Sequence, residues 1–293
     1  MRLLEFVHGG NDVLHLVQSV QREELKKSFG IRTINLTRLT KEAMSVEIKK
    51  NIVDFTPTAI LVRGITALPA VTSMGTTIPI FLDHCTPTEL GKTSPMRDHL
   101  FKIKRAIAYS QKAEEDLRDA GLRRIQTVSG PYLPDMDCPL PDGRTTVAVL
   151  DTCPASRQVL DHIRAMRTSK GWDIDIVTTM VASDVQRVES APEAAERAHL
   201  LLAVYDEMDY GQPHDAAILA LGFRRALATS RTSAFSILPY PSGSFLSAPA
   251  HSAGAYSAAV ATFLRDPRAF LEWPHKTKTA DELPGLLTSW VNA

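Results

Sequence analysis

The sequence predicts an α/β protein built from two doubly wound, Rossmann-like domains, and three observations carry that prediction. Short apolar runs alternate with helical stretches from one end of the chain to the other. The alternation stops once, in the segment GPYLPDMDCPLPDGR (130–144) with its four prolines, and then restarts. At 293 residues and 44% hydrophobic content, the chain has material for two cores of ordinary size.

The elements follow in order. RLLEFV is a short apolar run, HGGN a turn, and DVLHLVQSVQREELKKSF a helical stretch with Val13, Leu14, Leu16, Val17 and Val20 on its apolar side. IRTINL reads as a strand, KEAMSVEIKKNIVDF as a helix, and TAILVRG, IPIFLDH and AIAYS as three further strands. The helix QKAEEDLRDAG and the strand RIQTVSG complete this first round. The second round runs through TTVAVLD, the helix SRQVLDHIRAMRTSKG, WDIDIVTT, the helix around SAPEAAERA, and HLLLAVY. Helices DAAILALGFRRAL (215–227) and AGAYSAAVATFLRDP follow, and ADELPGLLTSWVNA closes the chain. Strands that alternate with helices pair in parallel and are covered on both faces. The resulting division is a first domain at 1–135, a linker at 136–144, a second domain at 145–272, and a C-terminal helix within 273–293 returning to the first domain. Two such domains on one linker are expected to enclose a cleft at the carboxyl ends of their sheets, where doubly wound folds bind ligands.

Composition narrows the function classes. The formal charge is zero, with 19 Lys and Arg against 16 Asp and Glu in residues 1–140 and 14 against 17 in the remainder. That asymmetry is too weak to demand a polyanionic partner. No apolar run reaches the ~20 residues of a membrane span, and MRLLEFVHGGND turns polar too early for a signal peptide, so a cytoplasmic location is expected. Cys85, Cys138 and Cys153 form no C-x-x-C pair, which argues against a disulfide framework and against a zinc site.

The segment EMDYGQPHD (207–215) concentrates the chemistry. Glu207 follows the apolar run 199–205, and Asp215 stands beyond seven intervening residues, where the next helix begins. A helix start offers free N–H groups and a partial positive charge to a phosphate, while neighbouring carboxylates can accept hydrogen bonds from vicinal sugar hydroxyls. Phosphate and polyol together describe a nucleotide sugar.

With these residues in view, the chain resembles the GT-B glycosyltransferases, specifically the retaining group with a Glu-x7-Glu motif, matched here by Glu207, Gly211 and Asp215 in EMDYGQPHDAAILALG. HGGNDVLHLVQSV resembles the Gly-rich loop opening the first helix, and IPIFLDHCTP resembles the His-bearing loop that faces the donor sugar. AIAYSQKAEEDLRDAGLRRIQTVSGPYLP is similar to the last unit before the interdomain linker. The resemblance implies a nucleoside diphosphate sugar as donor, no cofactor and no metal. It places Glu207 at the developing charge of the anomeric carbon, and His84 on the donor sugar. Asp83 would be a base if the enzyme inverts. Gly9 and Gly10 would let the backbone approach the donor, and Arg157 would neutralise the leaving diphosphate. Gly211, Gln212, His214 and Asp215 fall on the donor side.

Two departures stand out. The second acid is Asp215 rather than Glu, and LDTCPASRQVL offers Arg157 but no second basic residue beside it. YDEMDYGQPHDAAILALGFRRALA also resembles the nucleoside deoxyribosyltransferases, in which Asp215 would attack a nucleoside's anomeric carbon and Asp209 would orient the base. A third reading is a non-catalytic nucleotide-sugar-binding module. The acceptor is open between a modified DNA base of phage type, for which the basic-leaning MRDHLFKIKR is suggestive, and a small molecule, lipid or glycan. The sequence leaves the oligomeric state undetermined.

Overall fold

The computed structural model describes residues 1–9, 12–84, 95–109, 111–128, 133, 136–205, 215–230, 245–248, 252–271 and 282–292. Contacts divide the chain into two compact units, Met1–Pro131 with Asp281–Ala293, and Tyr132–Ala280.

The first unit is a six-stranded parallel sheet in the order β2-β1-β3-β4-β5-β6. Its strands are β1 (Arg2–Val7), β2 (Gly30–Asn35), β3 (Ala59–Arg63), β4 (Ile80–His84), β5 (Ile103–Ala108) and β6 (Ile125–Thr127). Helices α1 (Asp12–Leu25), α2 (Lys41–Phe55), α3 (Leu68–Thr72), α4 (Arg97–Leu100) and α5 (Gln111–Asp119) connect them. Side-chain alternation along the strands sends Leu4, Phe6, Ile60, Val62 and Leu82 to a core shared with α2, α3, α4 and α5. The opposite parity, Leu3, Leu61, Phe81 and Ile107, packs under α1 and the last helix, α11 (Leu283–Asn292). Leu283, Leu287 and Trp290 follow a helical period, so one stripe of α11 is buried in this core. Trp290 lies 5.6 Å from the Phe81 ring, and the Arg105 guanidinium sits over it at 5.4 Å.

The second unit has six parallel strands in the order β12-β11-β10-β7-β8-β9. They are β7 (Thr145–Val149), β8 (Ile174–Thr178), β9 (Gln186–Arg187), β10 (Leu200–Ala203), β11 (Ala226–Thr229) and β12 (Phe245–Ser247). Helices are α6 (Ala155–Lys170), α7 (Ala191–Arg197), α8 (Asp215–Phe223), α9 (Ala253–Arg265) and α10 (Pro267–Leu271). Val159, Leu160 and Ile163 of α6 meet Tyr256, Val260 and Phe263 of α9 over one face of the sheet. Helices α7 and α8 pack on β7, β8, β10 and β11. Renumbered from β7, this strand order is 3-2-1-4-5-6, the order of a dinucleotide-type Rossmann sheet.

The sequence reading has no counterpart of α3, α4, β9 and β12, and one helix that it does contain is redrawn. The apolar stretch 215–227 predicts a single helix, but α8 ends at Phe223 and residues 226–229 form the buried strand β11. All of α8 after Asp215 is buried, so its sequence lacks the amphipathic period that would mark its end. The stop comes from tertiary structure. Arg224 adopts a left-handed conformation (φ 55°), and Arg225 turns inward, fully buried. Its guanidinium donates to the carbonyls of Ala195 (3.0 Å), Glu196 (3.2 Å) and Pro139 (2.8 Å). Those bonds, with Met136 N–H on Gly222 O at 2.8 Å, fasten part of the Pro-rich segment to the second unit.

Candidate functional site

In a doubly wound sheet the ligand crevice lies beyond the carboxyl ends of the strands, where successive connections leave in opposite directions. Strand order places this switch between β1 and β3 in the first unit and between β7 and β10 in the second.

At the first switch point, β1 runs into His8 and Gly9. His8 N–H donates to Arg63 O, its Nδ1 lies 2.7 Å from the Thr66 hydroxyl, and Gly9 N–H donates to Thr37 Oγ1 at 3.0 Å. Gly9 has φ +74°, and among the described residues, its chain neighbours aside, no atom lies within 4 Å of where a Cβ would stand. Glycine is required there by the backbone and not by crowding. Gly10 lies outside the described residues.

Asp83 stands on β4 opposite Ile107, and His84 ends that strand opposite Ala108. Asp83 is fully buried, and its Oδ2 accepts from Arg63 Nη1 at 2.8 Å. Arg63, 1% exposed, also donates to Glu5 Oε1 (2.5 Å) and Gln21 Oε1 (2.5 Å), and Glu5 Oε2 receives Arg22 at 2.8 Å and Thr33 at 2.5 Å. Burial pushes the Glu5 carboxyl up, but Arg63, Arg22 and the Thr33 hydroxyl together hold it below the usual carboxylate range. Asp83 therefore sits inside an ion network directly beneath the rim. Sequence alone gave no sign of that network, because Glu5 and Arg63 stand in runs that otherwise read as apolar strands.

At the second switch point, the ends of β7 and β10 are tied together by hydroxyls. Thr152 Oγ1 donates to Val204 O and accepts from Val204 N–H, while Ser156 Oγ accepts from the N–H groups of Thr152 and Cys153 at 3.3 Å each. Tyr205, 7% exposed, bridges further: its N–H donates to Ser230 Oγ at 2.9 Å, and its hydroxyl accepts from Ala216 N–H at 3.2 Å. Tyr256 lies 3.0 Å from Ser230 Oγ and donates to Ala203 O at 3.1 Å. Burial pushes its phenol up to about 12, so it is a neutral donor at physiological pH. The buried Thr229 hydroxyl, at the end of β11, has no partner among the described residues.

Asp215 is the first residue of α8. Arg157, in the first turn of α6, is exposed; its Nη1 donates to Val181 O at 2.6 Å and its Nε lies 3.5 Å from Asp161. Its guanidinium is thus directed along the β8 side of the rim. Glu207, Gly211, Gln212 and His214 lie outside the described residues. The structure therefore brings Gly9, Asp83 and the backbone of His84 to the rim of the first unit, and Arg157 and Asp215 to that of the second. It adds Thr152, Tyr205 and Ser230, which sequence reasoning missed because a hydroxyl at a strand end carries no signature of its own. Among the described residues no cluster of three His, Cys, Asp or Glu could hold a metal, and no helix is long and apolar enough to cross a membrane.

No protein-family model matches the chain, and no curated protein matches it in sequence. Solved structures do match in fold over its whole length. HepE of Anabaena, crystallised with UDP-glucose, aligns with a TM-score of 0.64 at 9% identity, over 100% of this chain and 98% of that one. A UDP-N-acetylglucosamine 2-epimerase aligns at 0.63 with 13% identity, covering 100% and 98%. Sucrose-phosphate synthase from Thermosynechococcus elongatus aligns at 0.60 with 11% identity, covering 100% and 94%. At such identities the likeness establishes the fold alone, two Rossmann-like domains of the GT-B type.

Proposed function

We propose that this protein is a glycosyltransferase that moves a sugar from a nucleoside diphosphate sugar to an acceptor with retention of anomeric configuration. The observation that carries the reading is the Rossmann strand order of the second sheet, in which the switch-point strand β10 is followed in the chain by the segment bearing Glu207 and Asp215. The neighbours crystallised with UDP and UDP-glucose support a uridine nucleotide as donor.

In this reading Glu207 faces the anomeric carbon, where a carboxylate stabilises oxocarbenium-like charge. Asp215 and the start of α8 receive the ribose and phosphates, with Gly211, Gln212 and His214 lining the same segment. Arg157 swings from Val181 O to the leaving diphosphate, a short move for an exposed side chain. Gly9 and Gly10 give the donor a close backbone approach, and His84 hydrogen-bonds the sugar. Asp83, held by Arg63, supports that loop as a positioning group. The acceptor is assigned to the first unit, and its class is undetermined between nucleic acid, glycan and small molecule.

The epimerase neighbours favour one second reading, isomerisation of the nucleotide-bound sugar without transfer. NMR of the products separates the two. Transfer releases nucleoside diphosphate and yields a glycoside of the donor's own anomeric configuration; epimerisation leaves the nucleotide attached and inverts a ring carbon. Glu207→Ala is expected to lower turnover of the donor at least 100-fold with little change in its affinity. If purified protein neither hydrolyses, transfers nor isomerises any nucleotide sugar, the reading fails.

A further inference from the structure

We infer that Tyr205 is a positioning residue for the donor: its hydroxyl fixes the start of α8, and with it Asp215, relative to the end of β10. This inference rests on the donor site proposed above.

Tyr205 is the residue after Val204, whose backbone is clamped to β7 by Thr152. It is followed at once by the segment that carries Glu207 and ends at Asp215. Its own N–H is fixed by Ser230 Oγ (2.9 Å), at the end of the neighbouring strand β11. Its hydroxyl accepts the N–H of Ala216, the residue that follows Asp215 (3.2 Å). One residue thus ties the end of β10 to β11 through its backbone and to the start of α8 through its side chain. Both ends of this link are out of solvent, Tyr205 at 7% and Ala216 at 0% exposure, so water does not replace the bond when it is lost.

The contact also assigns the groups at the helix start. Among the free N–H groups that make a helix start attractive to phosphate, that of Ala216 is already spent on Tyr205. The donor must therefore be met by the remaining groups of this end, foremost the Asp215 side chain, in a geometry the tyrosine dictates. Shifting α8 by a fraction of a turn would carry Asp215 with it, because the acid is its first residue.

Tyr205→Phe keeps the ring and removes the hydroxyl that accepts from Ala216 N–H. Calorimetric titration of the full chain with UDP gives the test, with Ser190→Ala as a control that loses a capping hydroxyl of the same unit, on α7, remote in strand order from the switch point. Expected are UDP binding by the wild-type protein, an affinity about tenfold weaker in Tyr205→Phe at a temperature where it is fully folded, and Ser190→Ala within twofold of wild type. Equal UDP affinity in Tyr205→Phe and wild type would overturn the inference while leaving the donor reading intact. An equal loss in Ser190→Ala would overturn it too, by marking the effect as general loosening. Absence of UDP binding by the wild-type protein would remove the donor reading itself and the inference with it.

Discussion

Arg63 illustrates how a single residue can hold a rim together without touching it. Its guanidinium, 1% exposed, is shared by Glu5, Asp83 and Gln21, so removing it takes a buried cation from two buried carboxylates. Arg63→Met is expected to lower stability by about 3–5 kcal/mol in urea denaturation, whereas truncating the exposed Lys26 of the pair with Glu23 should cost less than ~0.5 kcal/mol. His199 provides a titration at the same scale. It accepts from Thr146 N–H at 3.1 Å, and its pKa lies below the ordinary 6.5, chiefly through burial and then through the nearby Arg225 charge. The folded protein therefore binds this proton less readily than the unfolded chain. The contribution is complete above pH 6.5 and is lost as the pH falls below it. Urea midpoints taken from pH 7.5 down to 5 should fall for the wild type and fall less steeply for His199→Asn, which keeps an acceptor but cannot titrate. Such residues are hard to find in a sequence, where Glu5, Arg63 and His199 are isolated letters in apolar runs; only strand register brings their charges together.

At the scale of elements, most strands and the longer helices were legible because each carries its own period, while the short β9 and β12 were not. RLLEFV, AILVR and TTVAV are buried parallel strands as written, and α2 begins where Thr40 caps Ala43 N–H. What was not legible depends on partners far along the chain. The strand β11 hides inside an apparent helix because α8 is apolar all round and its end is set by the carbonyls that Arg225 finds. At Gly222 an added Cβ would fall 2.5 Å from the Leu133 Cβ, so Gly222→Ala should destabilise the second unit by about 1–3 kcal/mol, measured by thermal unfolding. The last helix is the converse case, distant in sequence yet built into the first unit's core. Trp290, 4% exposed against Phe81, should cost about 3–5 kcal/mol when replaced by Ala. Protection of β1, β3 and β4 amides from hydrogen exchange should drop in that variant, and those of β7 and β10 should not.

Over the whole molecule, two parallel sheets of six strands each carry a switch point, and residues singled out from the sequence fall at both: Gly9 in the first, Asp215 and Arg157 in the second. The sequence could supply these because a turn glycine and a helix-start acid are local signals. It could not supply Thr152, Tyr205 and Ser230, whose meaning arises only when β7, β10 and β11 lie side by side. The central claim is that the second sheet's switch point receives a nucleoside diphosphate. A thermal-shift screen of the full chain against UDP, GDP, ADP and CMP tests it most directly, because a ligand at about 100 times its Kd adds about 2.7 kcal/mol to the native state. The account predicts that UDP alone raises the unfolding temperature by several degrees, and that the shift disappears in Asp215→Ala. Identical unfolding temperatures with and without every nucleotide would contradict it.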